Sequence, residues 1–90
     1  MAGDLALLYF AWVREGIGVD GERIARPAAA ATVADVIAAL AGRGGGYAVL
    51  ADVTRLRAAL DQDFVTMDTQ IGDAVELAIF PPVTGGAVGG

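Results

Sequence analysis

The run Pro81-Pro82-Val83-Thr84-Gly85-Gly86-Ala87-Val88-Gly89-Gly90 offers almost no side chain to a core, so folding must be accomplished by residues 1–80. Neither Pro81 nor Pro82 can donate a backbone hydrogen bond, which ends any strand leading into them. Glycine costs more backbone entropy to order than any other residue, and here two of them stand last. The expected organisation is a domain over residues 1–80 and a flexible arm over 81–90. A carboxylate on glycine has no β-carbon crowding its carbonyl, so another protein could thread it through a narrow channel. The C-terminus itself is thus the expected reactive group.

Ninety residues make one small domain, holding itself together by only about 5 to 13 kcal/mol. The chain is 56% hydrophobic, yet its longest apolar run, the nine residues from Leu5 to Val13, is far too short to span a bilayer. Met1 is followed by Asp4 and no basic segment, so no secretory signal is expected and the expected location is cytoplasmic. Eleven acidic residues against six arginines give a net charge of -5. Nucleic acid would be repelled, and protein partners should present basic surface. There is no Cys, His or Lys. That removes the thiol nucleophile, the usual near-neutral acid or base, soft metal ligation and lysine-based covalent chemistry, leaving a chain not catalytic alone.

Leu5 to Ala11 reads as a buried strand and Trp12 to Gly18 as a turn region. Glu22 to Arg26 alternates as a second strand, begun by Asp20-Gly21 and ended by Pro27, pairing antiparallel with the first. Thr32 is a good N-cap, Asp35 favours the positive end of the helix dipole, and Val33, Val36, Ile37 and Leu40 form one apolar stripe. The glycine-rich stretch 42–46 stops that helix. Tyr47 to Val53 reads as a short helical segment or a packed loop. Leu56 to Leu60 and Phe64 to Met67 outline a hairpin around Asp61-Gln62. Ile71-Gly72-Asp73 turns into a last strand, Val75 to Phe80, with Val75, Leu77 and Ile79 on one face. One helix covering one face of a mixed sheet is an α+β layer arrangement.

Gly16-x-Gly18-x-x-Gly21 spells a dinucleotide fingerprint but leads into a strand, where it cannot present a helix N-terminus to a phosphate. The stretch 42–46 lacks the Lys-Ser/Thr of a phosphate loop. Asp61, Asp63 and Asp68 lack the rest of a calcium loop and read as solvated turn residues. Arg14 and Glu15 read as a solvated turn pair.

Tyr9-Phe10-Ala11-Trp12-Val13-Arg14-Glu15 with Gly18, the Gly72-Asp73-Ala74-Val75 turn, and above all Phe80-Pro81-Pro82-Val83-Thr84-Gly85-Gly86 resemble the sulfur-carrier small subunits of molybdopterin synthase. The likeness runs from the first strand to Gly86. It implies the ubiquitin-like β-grasp fold and a carrier cycle. A ubiquitin-activating-like adenylyltransferase uses ATP to adenylate the C-terminal glycine, and a sulfur donor protein converts the adenylate to a thiocarboxylate. The large catalytic subunit of a heterotetrameric synthase then receives that sulfur for a cyclic pterin phosphate in molybdenum cofactor biosynthesis. No cofactor would be held stably by the carrier. The resemblance makes Gly90 the acceptor if the chain is untrimmed, or Gly86 if it is trimmed. It places Phe80, Pro81, Pro82, Val83, Thr84, Gly85 and Gly89 against the partner. The family ends at the first Gly-Gly, whereas Ala87-Val88-Gly89-Gly90 follows it here. A thiamin-pathway sulfur carrier, a ubiquitin-like protein modifier and a plain interaction module stay open as alternatives.

Overall fold

A computed structural model describes residues 3–82. Its elements are β1 (Asp4–Tyr9), α1 (Ala11–Ile17), β2 (Gly21–Ala25), α2 (Val33–Ala41), 3-10 helices over Gly45–Leu50 and Val53–Arg55, then β3 (Arg57–Leu60), β4 (Asp63–Val65) and β5 (Glu76–Phe80). The five strands form one sheet in the order β2-β1-β5-β3-β4. β1 and β5 pair in parallel and every other pairing is antiparallel, so the sheet is mixed. The first and last strands of the chain therefore lie side by side. This is the ubiquitin-like β-grasp arrangement.

The apolar stripe of α2 does what its spacing demands. Val33, Val36, Ile37 and Leu40 are all buried and share one core with Leu5, Leu7 and Tyr9 of β1 and Leu77 and Ile79 of β5. Each large side chain fully buried contributes about 1.5–3 kcal/mol. Thr32 caps α2 with a complete capping box: its Oγ1 accepts from the Asp35 N–H at 3.1 Å, while Asp35 accepts from the Thr32 N–H at 2.9 Å. The helix stops at Ala41, and Gly44 (φ 76°) and Gly45 (φ 56°) take backbone angles that a side chain would strain.

At the β3–β4 hairpin, Asp61 (φ 48°) and Gln62 (φ 74°) both occupy the left-handed region, as a two-residue primed turn requires. The Asp61 carboxylate also accepts from the backbone N–H groups of Val75 (2.9 Å) and Glu76 (3.1 Å). Asp61 is exposed, but it bolts the hairpin tip to the start of β5 rather than merely being solvated.

Three further expectations need correction. The strand from Leu5 ends at Tyr9, and the segment after it is the helix α1 rather than a turn. Two glycines in or beside seven residues hide that helix from its propensity. It forms because Val13 is fully buried, Trp12 and Ile17 pack on the core, and Gly18 (φ 100°) closes its end with an N–H bond to the Arg14 carbonyl. Gly16 lets it lie close to the first 3-10 helix: a β-carbon there would strike the Val49 side chain, and one on Gly46 would strike the Gly16 carbonyl. Lastly, Val75 does not join Leu77 and Ile79 in the core. It stands before β5 at 62% exposure, its N–H drawn to Asp61 at the sheet margin.

Candidate functional site

β5 supplies the root of the expected site. It lies between β1 and β3, paired with both, and it stops at Phe80 where Pro81 and Pro82 withdraw the next two N–H donors. Phe80 is held in register opposite Arg57 of β3. Of the residues assigned to the site, Phe80, Pro81 and Pro82 are described. Val83, Thr84, Gly85, Gly86, Gly89 and Gly90 lie outside the described residues, as does the expected flexibility of the arm.

The pairing register fixes what surrounds that root. Leu77 and Ile79 face the core, so Ala78 and Phe80 face the opposite side of the sheet. Leu8 pairs with Ala78, Ala78 with Ala59, and Ala59 with Phe64, which places Leu8, Ala59 and Phe64 on that same side. Ala59 and Ala78 are themselves buried there, while Phe64 is 82% exposed. The Phe64 and Phe80 ring centroids lie 5.8 Å apart with planes tilted by 50°, a favourable aromatic geometry. Arg57, Ala58, Phe64, Val65, Phe80 and Pro82 line a groove at the end of β5 that draws on both sides of the sheet. Phe10, 46% exposed, leaves β1 beside the same end of the sheet, its N–H bonded to the Ile79 carbonyl. β5 thus ends beside the Phe64–Phe80 pair, with Arg57 opposite Phe80. Contiguous exposed apolar side chains of this kind are found on surfaces that bind proteins, membranes or ligands.

Phe64, Phe10 and Leu8 were not singled out by the sequence reading. The signal for Phe64 was present: a two-residue turn at Asp61-Gln62 forces Ala59 opposite Phe64, and the alternation then puts Phe64 on the face away from Ala58 and Leu60.

A second constellation ties the sheet to the end of α2. The Glu22 carboxylate accepts from the hydroxyls of Tyr9 (2.7 Å) and Tyr47 (2.7 Å) and from the Arg43 guanidinium (3.0 Å), which also lies 5.0 Å from the Tyr47 ring centre. Burial alone would raise the Glu22 pKa, but the donations from Tyr47, Tyr9 and Arg43 outweigh it and hold the carboxyl below its ordinary value. Burial, and then the bond to Glu22, pushes the Tyr9 hydroxyl well above the usual tyrosine range. Tyr47 is raised chiefly by its bond to Glu22. Every partner is satisfied, and the cluster reads as a structural clasp joining β1, β2 and the loop after α2. Among the described residues no group of three or more His, Cys, Asp or Glu could hold a metal ion, and no helix is long and apolar enough to cross a membrane.

Comparison with known proteins agrees with this geometry. Residues 7–86 match the ThiS family, and the chain belongs to it. It is 37% identical over 82 residues to the molybdopterin synthase sulfur carrier subunit of Escherichia coli (strain K12), which covers 91% of this chain and 99% of the relative. It is 35% identical to the protein of the same name from Haemophilus influenzae, with the same coverage. The fold is similar to that of SAMP1 from Haloferax volcanii, with a TM-score of 0.69 at 24% identity over 92% of this chain and 99% of that one.

Proposed function

We propose that this protein is a sulfur carrier for molybdopterin synthesis, loaded as a thiocarboxylate on a C-terminal glycine. The observation that carries the reading is that β5 ends at Phe80, packed beside the exposed Phe64, immediately before the Pro-Pro-Val-Thr-Gly-Gly sequence. The relatives named as molybdopterin synthase sulfur carrier subunits support it.

Each part of the chain then has a task. The rigid sheet presents the aromatic face, against which the large synthase subunit and the activating enzyme dock in turn. Phe80, Pro81 and Pro82 set the origin and direction of the arm, and the glycines let its tip enter a channel too narrow for a β-carbon. In the activating enzyme the tip carboxylate attacks the α-phosphorus of ATP and releases pyrophosphate. Hydrosulfide furnished by a donor protein then attacks the acyl carbon, the carbon–oxygen bond to AMP breaks, and loss of the sulfur-borne proton leaves the thiocarboxylate. The adenylate is needed because a bare carboxylate has no adequate leaving group. All acid and base chemistry falls to the partners, since this chain has no Cys, His or Lys.

The direct test is reconstitution. Thiocarboxylated protein mixed with a large molybdopterin synthase subunit and the cyclic pterin phosphate should yield the dithiolene product and return the carboxylate form. No product with the loaded carrier, in a mixture where an E. coli carrier works, would remove the assignment.

A further inference from the structure

We propose that β2 is a docking edge for a second copy of this chain. The two copies join their sheets by antiparallel β2–β2 pairing about a two-fold axis at Ile24.

β2 stands at the margin of the sheet, and among the described residues it pairs only with β1. The hydrogen bonds show which of its backbone groups this leaves unused. The Tyr9 N–H reaches the Asp20 carbonyl at 3.0 Å, whereas the N–H groups of Ala6 and Phe10 turn the other way, to the carbonyls of Val75 and Ile79. An antiparallel ladder alternates bonded and non-bonded pairs, so Leu7–Glu22 and Leu5–Ile24 are bonded pairs. The N–H and C=O groups of Gly21, Arg23 and Ala25 therefore point outward. Such an edge is a template for another strand. Ile24, opposite the buried Leu5, shares its face of the sheet, and with Ala25 and Pro27 it lines a largely apolar groove against Val36, Ala39 and Leu40 of α2.

The residues of this edge select the occupant. Two identical antiparallel strands have few registers, and most of them fail here. Setting Arg23 opposite its own copy opposes two cations, and setting Glu22 opposite its own copy opposes two carboxylates. With Ala25 opposite its copy, Ile24 falls beside Arg26 and Arg23 falls opposite Pro27, which has no N–H to give. Ile24 opposite Ile24 escapes these faults. Arg23 then exchanges both backbone bonds with the other copy's Ala25 on each side of the axis, and Pro27 falls opposite Gly21 at the end of the run. Glu22 comes opposite Arg26, of opposite charge. Both already hold partners within their own copy, Glu22 through Tyr9, Tyr47 and Arg43 and Arg26 through the carbonyls of Gly72 and Ala74, so the match avoids repulsion rather than adding an ion pair. The two Ile24 side chains meet on the α2 side and carry the apolar lining across the axis. The interface is isologous and closes at two copies. One short edge is a small contact, so the dimer is reversible. β5 lies two strands away and Phe64 belongs to the opposite margin, which leaves the arm root of each copy free. The pairing is thus independent of the carrier reading.

The full-length chain has no Cys, so one introduced thiol reports its own position. Facing residues of a non-bonded pair have Cα atoms about 4.5 Å apart, within disulfide range, so Ile24→Cys should form a disulfide-linked dimer under mild oxidation. Arg23 is the more exposed of the two. It stands two residues out of line with its copy, roughly 8 Å away and beyond bridging, so Arg23→Cys should stay largely monomeric. Sedimentation equilibrium of the parent should show dimer growing with concentration through the micromolar range. Arg23→Pro deletes an outward N–H but no bond to β1, and should weaken that dimer by about tenfold, the worth of the two bonds lost. Circular dichroism checks that each variant is folded. A parent that stays monomeric into the millimolar range, a folded Arg23→Pro that dimerises like the parent, or an Arg23→Cys chain that cross-links as fast as Ile24→Cys overturns the proposal.

Discussion

Glu22 shows how one side chain can tie the stability of a small domain to pH. Its carboxylate gathers two tyrosine hydroxyls and a guanidinium, and hydrogen bonds to a charged group are each worth about 1.5–3 kcal/mol at most. Its folded pKa lies below its unfolded one, so the stabilisation is present above the unfolded value of about 4.3 and is lost as pH falls through the lowered folded value. Glu22→Gln should lower stability at neutral pH by about 1–3 kcal/mol. The gap between variant and parent should close on acidification, as read from urea midpoints across pH. A gap unchanged at low pH would show that the charge of Glu22 is not what matters. Tyr9 sets the alkaline side: its raised pKa means that stability is whole below the ordinary tyrosine value of about 10 and declines as pH climbs beyond it. None of this cluster was legible in the sequence, because Tyr9, Glu22, Arg43 and Tyr47 come from four separate segments and only the sheet register and the turn after α2 bring them together.

Among the elements, α2 and α1 form opposite ways. α2 is written locally, in its cap, its acidic third residue and its stripe, and each part stands where that pattern put it. Thr32→Ala should cost about 1 kcal/mol by removing one half of the capping box. α1 is written non-locally: Phe10, its N-cap, makes no side-chain cap bond, and the helix is held by the burial of Val13 and by backbone contact with the first 3-10 helix. Gly46→Ala should therefore destabilise the protein by about 1–3 kcal/mol, since the new methyl meets the Gly16 carbonyl. Trp12, packed on the same core with Arg55 4.9 Å above its ring, should report the strain as a change in fluorescence. A Gly46→Ala protein with parental stability and emission would show that the close approach is not tight. The strands were legible in chain order to within a few residues of their ends, and the antiparallel β1–β2 pairing was expected from the Asp20-Gly21 dipeptide and the alternation of the second strand. The parallel β1–β5 pairing joins the chain's two ends, which no local pattern encodes.

Across the described residues, one side of the sheet builds the core, while the other carries the exposed Phe64 and, by the proposal above, meets the partner. The root of the site was readable in Phe80-Pro81-Pro82 because proline's lost donor is a local property. The aromatic face around it is readable only indirectly, because the Asp61-Gln62 turn must first set Phe64 opposite Ala59 and no local property of Phe64 marks it. Phe64→Ser should cost the fold no more than about 1.5 kcal/mol, the worth of an aromatic pair. It should weaken binding to the large synthase subunit at least tenfold, or about 1.4 kcal/mol, by isothermal titration. Unchanged affinity would move the docking surface elsewhere.

The most direct measurement of the carrier role is the intact mass of the purified protein, in its full-length and Gly86-ended forms, after incubation with ATP, a carrier-activating enzyme and a sulfur donor. The account predicts replacement of one oxygen by one sulfur, dependent on ATP and confined to a C-terminal glycine in the fragment spectrum. A mass unchanged in both forms, under conditions that load the E. coli relative, would contradict it.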